Sequence, residues 1–509
     1  MLHLRPWYIS SLTWIAFIFA GLITFAVIVM LGDSESSGTI TSSMLEAGMN
    51  SILLALLTGF FAALLGTTLG VMTTLYDFPF RRFFSVALVL PLAFPVYVFV
   101  YIYVGGLEYS GPISTALRSI GVAIPSPRNI FSGSIIFSLC LYPYVFLLVK
   151  AQINRVGLKL FYAGKTLGRS NLRSIQEILI PAIKPAILGG SILAMLEVMA
   201  DFGGVSTLQI NTFTVEIYRF WFGLQDYIGG AKLALMLLVF VFLILWGESF
   251  YLKRNTYGEI SATTFERLEP KRPGLLFAFC TLILTIALLA PFIQLLYWAN
   301  FSTFFDNAAT LDALVNSLLL GLGVAAAVTG ISMVLSMGKL YSRRSQPIFD
   351  IAASGYAIPG SVIAVGLMLV LSKTLGISIT SYGIAGLSLC LVIRFMTPAY
   401  RYFNAALLGI KDITIHAAAT MNISASKIFQ GIYWPAIKPS LIAGFVVVAL
   451  EVVKEQPATL LLRPVGFETL STKIYAFTSE GQWELAANPS ILLAVLGIFF
   501  VMLLAKINR

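Results

Sequence analysis

Histidine and cysteine are scarce, at two and three residues in 509, too few for most catalytic or soft-metal sites. His3 and His416 are far apart, and no nucleophile–base or metal-ligand spacing accompanies either, so an integral membrane enzyme finds no support. Cys140, Cys280 and Cys390 each lie singly in apolar runs, which excludes a disulfide framework or zinc cluster and leaves small buried side chains. Charge is scarce too. Only 11% of residues are Asp, Glu, Lys or Arg, too few to cover a soluble globule. What is present in excess is hydrocarbon: 58% of residues are hydrophobic and the mean hydropathy is +0.90, so lipid must be the solvent. The formal net charge of +10 does not imply a nucleic-acid partner, because the Lys and Arg residues sit in short loops between apolar runs, where the positive-inside rule accounts for them.

The apolar runs predict an all-α polytopic protein with about twelve transmembrane helices. Arg5 precedes a first run over 12–31, read as an uncleaved span with its N-terminus in the cytoplasm. Further runs lie near 50–75, 83–106, 130–150, 185–202 and 231–252. A second series lies near 274–298, 313–338, 350–371, 380–398, 439–455 and 488–506, with the segments 203–230 and 456–487 left open. A polar linker over 253–273 separates a first repeat, 1–252, from a second, 274–509. Six spans in each repeat give both the same orientation, so they are expected to be parallel, about an axis along the membrane normal. Prolines break the third run at Leu90-Pro91-Leu92-Ala93-Phe94-Pro95. Tyr356-Ala357-Ile358-Pro359-Gly360 takes the corresponding place in the second half. Such a kink suits either an aqueous pathway or a packing bend.

One stretch occurs twice. Residues 162–185 end in Pro181-Ala182-Ile183-Lys184-Pro185, and residues 416–439 end in the same pentapeptide at Pro435–Pro439, an offset of 254 residues. The same offset carries Leu196-Glu197-Val198 onto Leu450-Glu451-Val452, and Asp201 onto Glu455, which marks an internal repeat. The first copy holds Lys150, Arg155, Lys159, Lys165, Arg169, Arg173 and Lys184 against Glu177 alone, so it is read as cytoplasmic. Gly164-Lys165-Thr166 imitates the end of a phosphate-binding loop. The glycine required five residues earlier is Lys159, so no ATP site is expected on this chain.

Both copies resemble the cytoplasmic loop of binding-protein-dependent ABC importer permeases. The residues that match are Ala163, Gly164, Gly168 and Pro181 in the first and Ala417, Ala418, Asn422 and Pro435 in the second, with thirteen residues from the Gly position to the Pro in each. Asn tolerates a left-handed backbone best after Gly, so a helix–turn–helix break at 168 and 422 is expected in both. The family's leading Glu is Tyr162 in one copy and His416 in the other, which departs from its charged contact. The resemblance implies an ATPase dimer docked on both loops, with Leu172, Ile175, Ile423 and Ile428 as apolar contacts, ATP and Mg on that partner, and an external solute-binding protein. The stretches 196–219 and 455–470 look like the ferric iron branch of these permeases, which implies Fe3+ as cargo and a bacterial cytoplasmic (inner) membrane. Thiamine permeases share the fused plan, so thiamine or another small cation is the alternative cargo.

Four acids stand in this apolar background. Glu197 and Asp201 are four residues apart, on one face of the fifth span, and Glu451 and Glu455 repeat the pattern on the eleventh. At ~1.5 Å per residue, Glu197 stands about 18 Å and Asp201 about 24 Å beyond Pro185, past the membrane midplane. A carboxylate at that depth is costly unless it meets water, a counter-ion or a cationic cargo. Two pairs brought together would form a ring suited to a hard cation. They could instead cap helix ends, with Lys454 as a counter-charge. In a self-powered secondary transporter, the rival class, the same acids would be proton or sodium sites.

Overall fold

The computed structural model describes residues 41–254, 267–300, 308–341, 355–374, 383–410, 418, 420–421 and 423–507. Among them the chain is helical, with no strand beyond a single bridge between Tyr76 and Leu268. This is the expected answer to a solvent without hydrogen-bonding partners, since a helix satisfies its backbone internally. Nine described helices are long and apolar enough to cross a membrane. The count is ten if Arg81–Ala93 and Val96–Ser119, which meet at 89°, form one broken span. The expected first span, 12–31, lies outside the described residues, as does most of the 253–273 linker. Where a span over 350–371 was expected, the described helix is the short Gly360–Ser372.

The long helices are α1 (Ser42–Leu75), α2 (Val96–Leu107), α3 (Ile130–Gln152) and α4 (Ile180–Ala200), then the short α5 (Gly203–Thr207) and α6 (Tyr227–Arg254). After the span Pro273–Trp298 come α7 (Ala308–Tyr341), α8 (Gly360–Leu369), α9 (Gly383–Leu408), α10 (Trp434–Lys454), the short α11 (Pro457–Leu462) and α12 (Trp483–Ile507). The order of elements recurs. Helices α1 and α7 each have 34 residues; α4 and α10 each have 21, with one proline in the first turn and another inside at Pro185 or Pro439. α4 also begins before Pro185, continuing through it rather than starting there.

Helix α1 shows how an almost wholly apolar helix finds its orientation. Leu45, Met49, Leu53, Leu56, Phe60 and Leu64 form one exposed stripe at helical spacing, while the small residues Ala47, Ser51, Ala55, Ala62 and Gly66 face inward. Large side chains go to lipid and small ones to the helix contact, because lipid offers no hydrophobic force to press helices together and close packing must hold them. Gly66 is where α1 meets α3: a Cβ there would lie 2.7 Å from the Tyr142 carbonyl oxygen and 2.8 Å from the Phe146 nitrogen.

Two cores result, and both draw on residues from early and late in the chain. One joins α6 to α7, α8, α9 and α10; the other joins α1, α2 and α3 to Pro273–Trp298 and α12. Tyr101 of α2 lies between the rings of Trp298 and Trp483, and its hydroxyl donates to Ser490 Oγ at 2.8 Å. Matching polar ties recur in the two halves. Asn50 donates to the Asn211 carbonyl and Asn316 to the Glu468 carbonyl, both at 2.9 Å, while Ser51 and Ser317 accept from the Phe213 and Leu470 amides.

Candidate functional site: a charged cavity and two loops

Where the first and second halves of the chain meet, a cavity of about 90 Å³ is lined by residues of both. Glu197, Asp201, Glu451 and Glu455 all reach it, as do Arg394 and Lys454, Tyr97 and Tyr144, and Gln456. Phe94, Pro95 and Pro457 close part of the wall. The four acids found in the sequence are thus brought to one place, but in two different roles.

Asp201 and Glu455 are not on the helical faces where the four-residue spacing set them. Helix α4 ends at Ala200 and α10 at Lys454, and the acid after each end is extended (φ −72°, ψ 141° and φ −67°, ψ 131°). The next residues start a new short helix, and its free amides need acceptors. Asp201 Oδ2 accepts from the Val205 amide at 3.0 Å. Glu455 accepts from the Ala458 amide at 2.8 Å, the Thr459 amide at 3.0 Å and the Thr459 hydroxyl at 2.7 Å. The two carboxylates therefore cap α5 and α11, each near the positive end of a helix. Among the described residues no three His, Cys, Asp or Glu side chains are grouped to hold a metal ion, so the acids do not form the ring expected of them.

Glu197 faces other side chains. Its Oε1 accepts from the Tyr144 hydroxyl at 3.3 Å and from the Tyr356 hydroxyl at 3.2 Å, the first on α3 and the second from the turn before α8. Lys454 answers a consequence of the proline break. Leu90–Ala93 is a 3₁₀ turn, in which the Leu92 carbonyl would pair with the amide of residue 95; Pro95 has none, and Lys454 Nζ donates to that carbonyl at 2.8 Å. The broken span of one half is thereby tied to α10 of the other.

Arg394 was not foreseen, although the sequence carried a signal for it. Ser138-Leu139-Cys140-Leu141 recurs as Ser388-Leu389-Cys390-Leu391, an offset of 250 that sets Arg394 in the place of Tyr144. A guanidinium on the cavity wall leaves four carboxylates facing two cations rather than a purely acidic lining.

The first repeated loop folds as a helix, Leu158–Thr166, a turn, and a short helix, Asn171–Ser174. Gly168 makes the turn at φ +79°, its amide donating to the Lys165 carbonyl at 3.0 Å, while the Arg169 amide donates to the Gly164 carbonyl at 3.1 Å. These are the paired bonds of a Schellman ending, which needs a left-handed residue where glycine stands. Ser170 then caps the second helix. In the other copy Ala417 and Asn422 lie outside the described residues, but the Ile423 amide donates to the Ala418 carbonyl at 3.2 Å, the counterpart of the bond from Arg169 to Gly164. Pro181 and Pro435, in the first turns of α4 and α10, are exposed, as is Ala163, while Gly164 and Ala418 are buried.

The apolar contacts proposed for these loops divide. Leu172 is exposed, whereas Ile428 is only 1% exposed and packs in the core, so it is not available to a partner. Two residues passed over in the sequence are exposed instead: Leu167 and Met421, 254 apart, are 79% and 74% exposed at the turns of their loops. Arg169, one of the loop's cations, is paired with Glu177.

No family model matches the chain. A Fe(3+)-transport system permease protein of Haemophilus influenzae is 28% identical over 472 residues, covering 89% of this chain and 88% of that protein. A ferric transport system permease protein of Actinobacillus pleuropneumoniae is 21% identical, over 72% of this chain and 57% of its own length. A probable sulfate transport system permease protein of Chlorokybus atmophyticus is 25% identical over 41% of this chain and 75% of its own. With its apolar helices, this multi-pass membrane protein is similar to ABC transport-system permeases over most of its length.

Proposed function

We propose that this permease carries ferric iron, handed over by an external binding protein, across the cytoplasmic membrane of a bacterium, with an ATPase dimer docked on the two repeated loops as its engine. The observation that carries the reading is the cavity: carboxylates from both halves face one small space, and relatives named for ferric transport match most of the chain. The carboxylate, phenol and amide lining of the cavity offers oxygen ligands to a hard cation. The basic first loop supports a cytoplasmic docking face and an N-terminus on that side. The equivalent exposed side chains of Leu167 and Met421 support an apolar contact with each half of a two-fold symmetric partner.

A second reading has its own support. Arg394 and Lys454 line the same cavity, and some relatives are named for sulfate or for molybdate and tungstate, so an oxyanion is the rival cargo. Uptake of radioactive ferric iron by cells expressing the permease with its partner subunits decides between them. Competition by gallium(III) and none by molybdate is the expected result; the reverse order would transfer the assignment to the anion.

A further inference from the structure

Several polar groups around Glu197 offer oxygen, beside the cations Arg394 and Lys454. Two phenols, from Tyr144 and Tyr356, converge on Glu197 Oε1 at 3.3 and 3.2 Å. Glu451 and Gln456 line the adjoining cavity. Gln456 is only 1% exposed. Its amide nitrogen donates to the Ser471 carbonyl at 3.0 Å, but its Oε1 is buried without a hydrogen-bond partner. A buried carbonyl oxygen left without a donor costs about 1–3 kcal/mol, a cost that a bound cation would remove. No thiol or imidazole joins the set; Cys140, on the same wall, faces the carbonyls of Pro91 and Phe94.

Resting on the ferric reading above, we infer that Tyr144, Tyr356 and Glu197, with Gln456 on the wall of the adjoining cavity, form a transient coordination site for a trivalent, oxygen-seeking cation within the permease itself. Hard cations select carboxylate, phenolate and carbonyl oxygens over sulfur. Each phenol that binds exchanges its O–H bond for an O–metal bond and releases a proton to water, with no change in the oxidation state of the metal. Arg394 and Lys454 face the same cavity and balance the negative charge of the ligands when the ion has left. The site is also divided: Tyr144 and Glu197 belong to the first half of the chain and Tyr356 to the second. A movement that separates the halves therefore withdraws one ligand from the others, which binds an ion in one state and frees it in the next.

The test is a titration of the purified full chain in lipid nanodiscs with ferric nitrilotriacetate, followed by visible absorbance. A tyrosinate-to-iron charge-transfer band should grow to saturation at one iron per chain, persist in Tyr109→Phe at the surface, and fall several-fold in Tyr144→Phe and in Tyr356→Phe. Gallium(III), which has no such transition, should displace it. Resonance Raman spectra of the unaltered protein should show tyrosinate modes, a readout that does not depend on any variant folding. Absence of the band, or its survival in both variants, overturns the site. Iron uptake by the assembled transporter without the band would leave ferric cargo standing and remove only the site; no ferric uptake by the unaltered transporter would remove both.

Discussion

Glu197 and Asp201 are separated by one helical turn in sequence and by a helix end in space. The difference decides what each substitution does. Asp201 and Glu455 hold the amides that open α5 and α11, so replacing either with Ala removes a cap worth about 1 kcal/mol. The loss should be larger at Glu455, which accepts three bonds, and it should appear as a lower midpoint of thermal unfolding in detergent. Glu197→Gln should leave that midpoint nearly unchanged, since an amide can still accept from both tyrosines; equal destabilisation at the two positions would contradict the division of roles. The acids themselves were legible, because a carboxylate deep in an apolar run has few bland explanations. Their division was not, since the ends of α4 and α10 are set by the residues immediately C-terminal to them. Gly203-Gly204 and Gln456-Pro457 were signals of a break that the four-residue spacing overrode. Arg394 was missed because the repeated Ser-Leu-Cys-Leu segment has an offset of 250, not the 254 of the loops.

At the scale of elements, the repeated loop was the most legible part of the chain, and the Schellman turn at Gly168 has the left-handed residue where the pattern required it. Which of its apolar residues face outward was less so. A four-residue helix such as Ala425–Ile428 is too short for periodicity to fix its buried side, and Ile428 turns into the core. Leu167 and Met421 precede the turn in each copy, where no periodic pattern marks them. As docking contacts, they predict that Leu167→Asp combined with Met421→Asp abolishes stimulation of the partner ATPase by the permease, with unchanged membrane abundance. A charge at an apolar contact costs several kcal/mol, so a reduction of about tenfold or more is expected. Stimulation equal to that of the unaltered protein would exclude these residues from the contact. The broken span also has a readable cause: Pro95 leaves the Leu92 carbonyl without its amide, and the sequence could not name Lys454, 362 residues away, as the group that satisfies it.

At the scale of the molecule, the sequence repeat is not a pair of separate cores. Helix α6 of the first half packs on α8 of the second, and α12 of the second on α2 of the first, so displacement of one half must disturb both cores. The 90 Å³ cavity lies at this seam, tied across it by Tyr356 to Glu197 and by Lys454 to Leu92. Long-range pairings of this kind arise from tertiary packing, which hydropathy and spacing do not encode, whereas the apolar runs themselves predicted most of the described spans to within a few residues. Two soluble subunits that close beneath the loops would act on the seam through α4 and α10, whose exposed first turns at Pro181 and Pro435 continue directly from the loop helices to Glu197 and Glu451.

The central claim, that ATP drives ferric iron through this seam, is tested most directly by uptake of radioactive ferric iron into cells that express the permease with its ATPase and binding protein. The account predicts that uptake continues when a protonophore collapses the proton gradient with ATP maintained, stops when ATP is depleted, and falls about tenfold or more, the equivalent of roughly 1.4 kcal/mol, when Glu197→Gln and Glu451→Gln are combined at unchanged abundance. Uptake that stops with the proton gradient alone, or that is untouched by the double substitution, would contradict it.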